Sequence, residues 1–146
     1  MIDEILHDGM QLPRVFLWRG PLNPKLVDEW ISPNRVHIPR DLKELWIATG
    51  GGDIFETETI LCPLTTDPEY DIMEVNQLYW KSGVDKNLLI FHIGTWVSAV
   101  RNDAPKFVSW STEDTKNMMQ FDSLSAWYCQ TLRKEYGQRY GLAHLG

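Results

Sequence analysis

The chain has 146 residues, a mass of 17.0 kDa, a formal charge of −6 and an isoelectric point near 5.1. That length suits one domain over 1–146, and such a chain buries enough surface to fold without a disulfide or a metal. Its 43% hydrophobic and 23% charged residues exclude global disorder. Its 20 acidic against 14 basic residues, with no basic cluster, exclude a nucleic-acid binder held by phosphate contacts.

No stretch approaches the ~20 apolar residues of a membrane span. The start, Met1-Ile2-Asp3-Glu4, is acidic where a signal peptide is basic, so the expected location is the cytoplasm. A disulfide between Cys62 and Cys129 is not expected there. Both cysteines sit among apolar neighbours and read as buried packing thiols.

The first third is cut into short pieces by Pro13, Pro21, Pro24, Pro33 and Pro39. Asn23-Pro24 is an N-cap followed by proline at the first helical position. The helix it opens carries Leu26, Val27, Trp30 and Ile31 on one face and ends at Ser32-Pro33-Asn34. A second helix opens at Pro39, with Asp41 complementing the dipole of its first turn. It aligns Leu42, Leu45, Trp46 and Thr49 and stops at Gly50-Gly51-Gly52. Asp53-Ile54-Phe55 and Thr59-Ile60-Leu61-Cys62 then read as short strands. Pro63 and Pro68 bracket a loop, and Glu69 to Trp80 returns to helical spacing through Ile72, Val75, Leu78 and Tyr79.

The second half predicts a meander. Leu88 to His92 is a continuous apolar run, as in a strand covered on both faces. Trp96 to Val100 and Phe107 to Trp110 are strands separated by turns at Gly94 and Asn102-Asp103-Ala104-Pro105. Such short turns imply antiparallel pairing. Asp122 or Ser123 caps a last helix bearing Leu124, Trp127, Tyr128, Thr131 and Leu132, which ends near Gly137; the tail from Tyr140 to Gly146 is expected to fray. The expected class is α+β: helices packed around an antiparallel sheet of short strands.

The sequence offers little chemistry. Gly50-Gly51-Gly52 follows a helix, so it is a helix stop and tight turn, not a phosphate loop. His7, His37, His92 and His144 form no metal-ligand spacing among themselves or with cysteine. His92 ends an apolar run and reads as a core or rim residue; an enzyme would need it to converge with an acid such as Glu74. No serine sits in a nucleophile elbow. Asp67, Glu69, Asp71 and Glu74 lack the glycine and terminal glutamate of a calcium loop. With Glu56 and Glu58 they suggest an acidic face for a basic protein partner. Among the seven tryptophans, Trp46, Trp110 and Trp127 fit the core, while Trp18, Trp80 and Trp96 sit nearer element ends.

Ile38-Pro39-Arg40-Asp41-Leu42-Lys43-Glu44-Leu45-Trp46 with Thr49-Gly50-Gly51-Gly52-Asp53-Ile54-Phe55 resembles the opening motif of the SMI1/KNR4 (SUKH) superfamily, although Thr49 stands where asparagine is usual. Leu89-Ile90-Phe91 with Gly94, then Val108-Ser109-Trp110, then Phe121 to Leu132 resemble that family's later strands and closing helix in order. The resemblance covers about Ile38 to Leu132. It implies an SMI1/KNR4-like α+β fold in which Pro39, Gly51, Gly52, Gly94 and Trp110 are structural. It also implies a non-catalytic role without cofactor: an immunity protein neutralising a cognate toxin, often a nuclease, or, as in fungal relatives, an intracellular scaffold. The candidate partner-binding residues are Glu56, Glu58, Asp67, Glu69 and Asp71, and the expected state is a monomer or weak homodimer with no nucleic-acid or membrane partner.

Overall fold

Seven short strands lie side by side in chain order, each antiparallel to the next, in one sheet β1 to β7. The computed structural model describes residues 2–34, 37–114 and 116–142. In order, the elements are α1 (Asp3–Gln11), β1 (Phe16–Trp18), α2 (Pro24–Asn34), α3 (Arg40–Thr49), β2 (Gly52–Ile54), β3 (Glu58–Ile60), α4 (Ile72–Lys81), β4 (Leu89–Ile93), β5 (Trp96–Val100), β6 (Phe107–Ser111), β7 (Met119–Phe121), α5 (Leu124–Gln130) and α6 (Leu132–Tyr136). The fold is therefore α+β, with a meander whose neighbours in sequence are neighbours in space. No helix among the described residues is long and apolar enough to cross a membrane.

The helix ends form as their residues dictate. Asn23 Oδ1 accepts from Lys25 N at 2.9 Å, capping α2, which runs through Pro33 and ends at Asn34, within the expected Ser32-Pro33-Asn34 stop. Pro39 is the N-cap of α3, one position earlier than a first-turn proline. At its far end Gly50 adopts φ +74 and donates to Trp46 O at 2.8 Å. Gly51 must also be glycine: its φ is +72, and a Cβ there would lie 2.6 Å from Ile60 O. Asp71 caps α4 by accepting from Met73 N and Glu74 N, so that helix begins three residues later than Glu69. Ser123, not Asp122, caps α5. The single closing helix expected to Gly137 breaks at Thr131, whose hydroxyl donates back to Trp127 O at 2.5 Å. The tail residues 143–146, His144 among them, lie outside the described residues.

Three elements have no counterpart in the sequence reading: α1, β1 and β7. The strand predicted at Asp53–Phe55 shifts one residue back and that predicted at Thr59–Cys62 shortens to Glu58–Ile60, with Phe55 and Glu56 at positive φ (50° and 68°) in the β2–β3 turn. β3 ends at Ile60, Leu61 N makes a last hydrogen bond to Phe91 O of β4 at 2.8 Å, and beyond it α4 lies beside β4. Asn76 donates to Ile90 O at 2.8 Å and accepts from Ile90 N at 2.7 Å, while Trp80 Nε1, one turn on, donates to Leu88 O at 2.8 Å. These side chains satisfy strand-edge groups that would otherwise be buried without partners.

The core holds Leu45, Trp46, Ile54, Phe55, Ile60, Phe91, Trp127 and Tyr128, each at most 1% exposed. Trp46, Trp110 and Trp127 are buried as expected, and Trp18, Trp80 and Trp96 are half-buried. Cys62 is buried, but Cys129 is only half-buried, a departure from the expected pair of core thiols. A register shift between Ile90 and His92 makes Phe91 the extra residue of a bulge. Both the Phe91 and His92 rings therefore meet the Trp127 indole, with centroids 4.8 and 5.2 Å away. Strict alternation would have turned one of them to the other face.

Candidate functional site

The period-two alternation places one residue from each of β3 to β6 on the face covered by α5. His92 pairs with Ser98 across β4–β5, and Ser98 pairs with Ser109 across β5–β6. Glu58 lies two positions before Ile60, which pairs with His92. The four side chains form a chain. His92 Nε2 is 2.9 Å from Glu58 Oε1, His92 Nδ1 is 2.8 Å from Ser98 Oγ, and Ser98 Oγ is 2.5 Å from Ser109 Oγ. Trp127 Nε1 donates to both serine oxygens, at 2.9 and 3.2 Å.

Donor accounting assigns the protons. With Nε2–H donating to Glu58, Nδ1 accepts from Ser98 and Ser98 accepts from Ser109, so every proton has an acceptor. A proton on Nδ1 instead would turn the Ser98 hydroxyl toward Ser109 and leave the Ser109 proton with no acceptor in the chain. Burial lowers the His92 pKa, outweighing the Glu58 hydrogen bond that raises it, which agrees with a neutral imidazole. Burial by itself would raise the Glu58 carboxyl. Hydrogen bonds from His92, Thr57 and Thr95 override it and hold the carboxyl below the ordinary 4.5.

Glu58 is ringed by donors. Thr57 Oγ1 (2.8 Å), Thr95 N (3.1 Å), Thr95 Oγ1 (3.1 Å) and Tyr136 OH (3.1 Å) all reach Oε2. Thr57 and Thr95 are exposed, so the carboxylate lies one layer of hydroxyls below the surface where the β2–β3 and β4–β5 turns meet. Gly94 makes this possible. Its turn role was expected, but the reason it is glycine is spatial: a Cβ there would stand 2.2 Å from Glu58 Oε1. Gly94→Ala is expected to lower stability by about 1–3 kcal/mol, because the pinned carboxylate must shift; a urea melt equal to wild type would contradict that.

Glu, His and Ser in hydrogen-bonded sequence are the side chains of a hydrolase triad. Here all three are fully buried, and the Ser98 hydroxyl is shared among His92, Ser109 and Trp127, so no substrate carbonyl can reach it. The arrangement ties four strands and α5 together instead. Asp8, Tyr128 and Arg133 make a second buried cluster: Asp8 Oδ2 accepts from Tyr128 OH at 2.6 Å and from Arg133 Nε at 2.7 Å, joining α1 to α5 and α6.

The acidic residues expected on one face are separated. Glu58 is in the core and cannot meet a partner, because a buried carboxylate needs its donors more than water. Glu56, on the turn, accepts from Tyr140 OH. Asp67, Glu69 and Asp71 lie beyond the other end of β3, whose three residues span about 10 Å, and Asp71 is occupied as a helix cap. Asp67 stands 3.7 Å from Arg19 Nη1, and Glu69 is exposed. Glu74, the acid considered for His92, is exposed on α4, and Glu58 holds that position instead. Trp110, Pro39, Gly51 and Gly52 are buried at structural positions. Burial pushes the Cys62 thiol up to about 11, away from nucleophilic use. Among the described residues no group of three or more His, Cys, Asp or Glu side chains could hold a metal ion.

The sequence carried one legible sign of the buried chain: Ser98 and Ser109 sit at the centres of apolar strands, at positions that cannot face water. Comparison with protein-family models, curated proteins and solved structures found no match for the chain.

Proposed function

We propose that this protein is a non-catalytic, cytoplasmic immunity protein of the SMI1/KNR4 type, which binds and neutralises a cognate toxin domain through protein–protein contacts. The observation that carries this reading is the use made of the reactive side chains. Glu58, His92, Ser98, Asp8 and Arg133 are consumed in holding the sheet to α1, α5 and α6, leaving the surface to act by contact. The resemblance from Ile38 to Leu132 supports it, as does the charge of −6. An acidic inhibitor is steered to and oriented on a basic site, such as one that holds nucleic acid. Glu56, Asp67 and Glu69 are the candidate surface carboxylates for that role.

The test is growth rescue. The toxin domain encoded beside this chain is induced in a host with and without it. Relief of growth arrest only in its presence, with binding that weakens as salt rises, is the expected result. A toxic domain against which the chain gives no protection would contradict the pairing and favour a scaffold role, to be pursued by pull-down.

A further inference from the structure

The sheet ends in β1 on one side and β7 on the other, and the two edges differ. Around β1 the chain folds back on its own groups: Phe16 N donates to Leu12 O at 3.1 Å and Gly20 N to Thr49 O at 2.8 Å. The edge of β7 is open. At the β5–β6 turn Arg101 N donates to Lys106 O at 3.0 Å, and hydrogen-bonded and non-hydrogen-bonded pairs alternate along the ladder from there. Val108 and Trp110 therefore aim their backbone groups at β5, and Phe107 and Ser109 aim theirs at β7. Phe107 pairs with Phe121 and Ser109 with Met119. Gln120, between them, turns its N–H and C=O away from β6, and among the described residues no loop or helix supplies a partner for them. β7 holds no proline, charge or bulge that would block a further strand. Met118, just before it, is 42% exposed, and Gln120 is exposed as well.

The charges flanking β7 are complementary to themselves. In an antiparallel pair of two copies, outward-facing residues must meet outward-facing residues, so the two-fold axis falls at residue 118, 119, 120 or 121. An axis at Met118 sets Asp114 against Asp122 of the other copy, a like-charge pair. Axes at Gln120 or Phe121 leave Lys116 opposite α5. Only an axis at Met119 brings Lys116 of each copy to Asp122 of the other. Both residues are exposed, and neither side chain has an ion-pair partner among the described residues. The same register exchanges backbone hydrogen bonds between Met118 and Gln120 of the other copy. It also packs Met119 against its own counterpart at the closer, non-hydrogen-bonded position.

We propose that the β7 edge is a self-association surface, on which a second copy of this chain pairs its own β7 antiparallel about a two-fold axis at Met119. The sheet then runs on from one copy into the other, and the crossed Lys116–Asp122 pairs fix the register. The interface is small, so the dimer is weak and forms at high local concentration. The proposal stands on the sheet register and the flanking charges and does not depend on the partner being a toxin.

The test is sedimentation equilibrium of the full chain at low ionic strength, up to about 2 mM, where a monomer–dimer equilibrium with Kd on the order of 0.1–1 mM is expected. Gln120→Pro removes the outward N–H and leaves the β6 ladder untouched, so it should leave a monomer. Lys116→Asp and Asp122→Lys each place like charges across the axis twice, and each alone should weaken association by about fivefold or more. An equimolar mixture of those two variants should associate as tightly as the wild type, because they meet each other with opposite charges. A wild-type chain that stays monomeric over the whole range would overturn the proposal, as would association unchanged by Gln120→Pro. A mixture no tighter than its separate components would overturn the register at Met119.

Discussion

Replacing Glu58 by alanine is expected to destabilise the protein by about 3–5 kcal/mol, the range for removing one partner of a buried, hydrogen-bonded polar pair. The loss exceeds that of a surface carboxylate because His92 Nε2–H and the Thr95 amide lose their acceptor, and the hydroxyls of Thr57, Thr95 and Tyr136 are left only with one another. Glu58→Gln keeps an acceptor of the same size and loses the charge, so it is expected to cost less, about 1.5–3 kcal/mol. Urea unfolding reads both as falls in midpoint at constant slope. An alanine variant within 1 kcal/mol of wild type, judged against the ordinary scatter of about 0.5 kcal/mol for surface changes, would show that the chain does not hold the sheet together.

The same residues set the response to acid. Stability rises with pH wherever the unfolded chain binds more protons than the folded one. His92 is the first to matter: its folded pKa lies below the ordinary 6.5, so below that pH the unfolded chain takes a proton the folded one refuses. Glu58 follows, since its donors hold its folded carboxyl below the ordinary 4.5. Its contribution is therefore complete above pH 4.5 and is lost as pH falls below it. The expected profile falls from pH 6.5 downward and again below 4.5. In Glu58→Gln the lower limb should be shallower by up to about 1.4 kcal/mol per pH unit. A variant with an unchanged acid limb would contradict the assignment.

The second large effect is expected at Asp8. This carboxylate is 2% exposed and answers Arg133, whose side chain is 9% exposed, and the Tyr128 hydroxyl, which Asp8 and burial together raise in pKa. Asp8→Ala leaves the guanidinium buried without its partner, at about 3–5 kcal/mol. Arg133→Met leaves the opposite orphan at a similar cost. The double variant Asp8→Leu with Arg133→Met removes both charges, so its loss is expected to be smaller than that of either single change. Additive losses would show that the two groups act independently.

What the sequence disclosed depended on how local the signal was. The segment from Pro39 to Gly52 was legible because proline marks one end of α3 and left-handed glycine the other. β4, β5 and β6 were legible as apolar runs set off by explicit turns. α1 was not, since Ile2 at its N-cap offers no side-chain cap and its packing rests on Gly9. A Cβ at Gly9 would stand 3.0 Å from Trp18 Nε1, a fact of tertiary structure. β1 and β7 have three residues each, too few to display alternation. The acidic face failed for a related reason. Glu56 and Glu58 are two apart but their surroundings are opposite, because the turn sends one to Tyr140 and strand alternation sends the other to His92. Glu58 and His92 are 34 positions apart, and only the β3–β4 register brings them together.

On the proposed role, this chain acts by binding and not by turnover. The most direct measurement titrates it against a fixed concentration of the cognate toxin domain, well above the dissociation constant, while residual toxin activity is followed. Stoichiometric binding gives residual toxin activity that falls linearly to an endpoint at one equivalent, with inhibition that reverses on separation of the two chains and is retained by a folded Ser98→Ala variant. Complete inactivation at a small fraction of an equivalent, growing with time, would mean that the protein modifies the toxin catalytically and would contradict the proposed role.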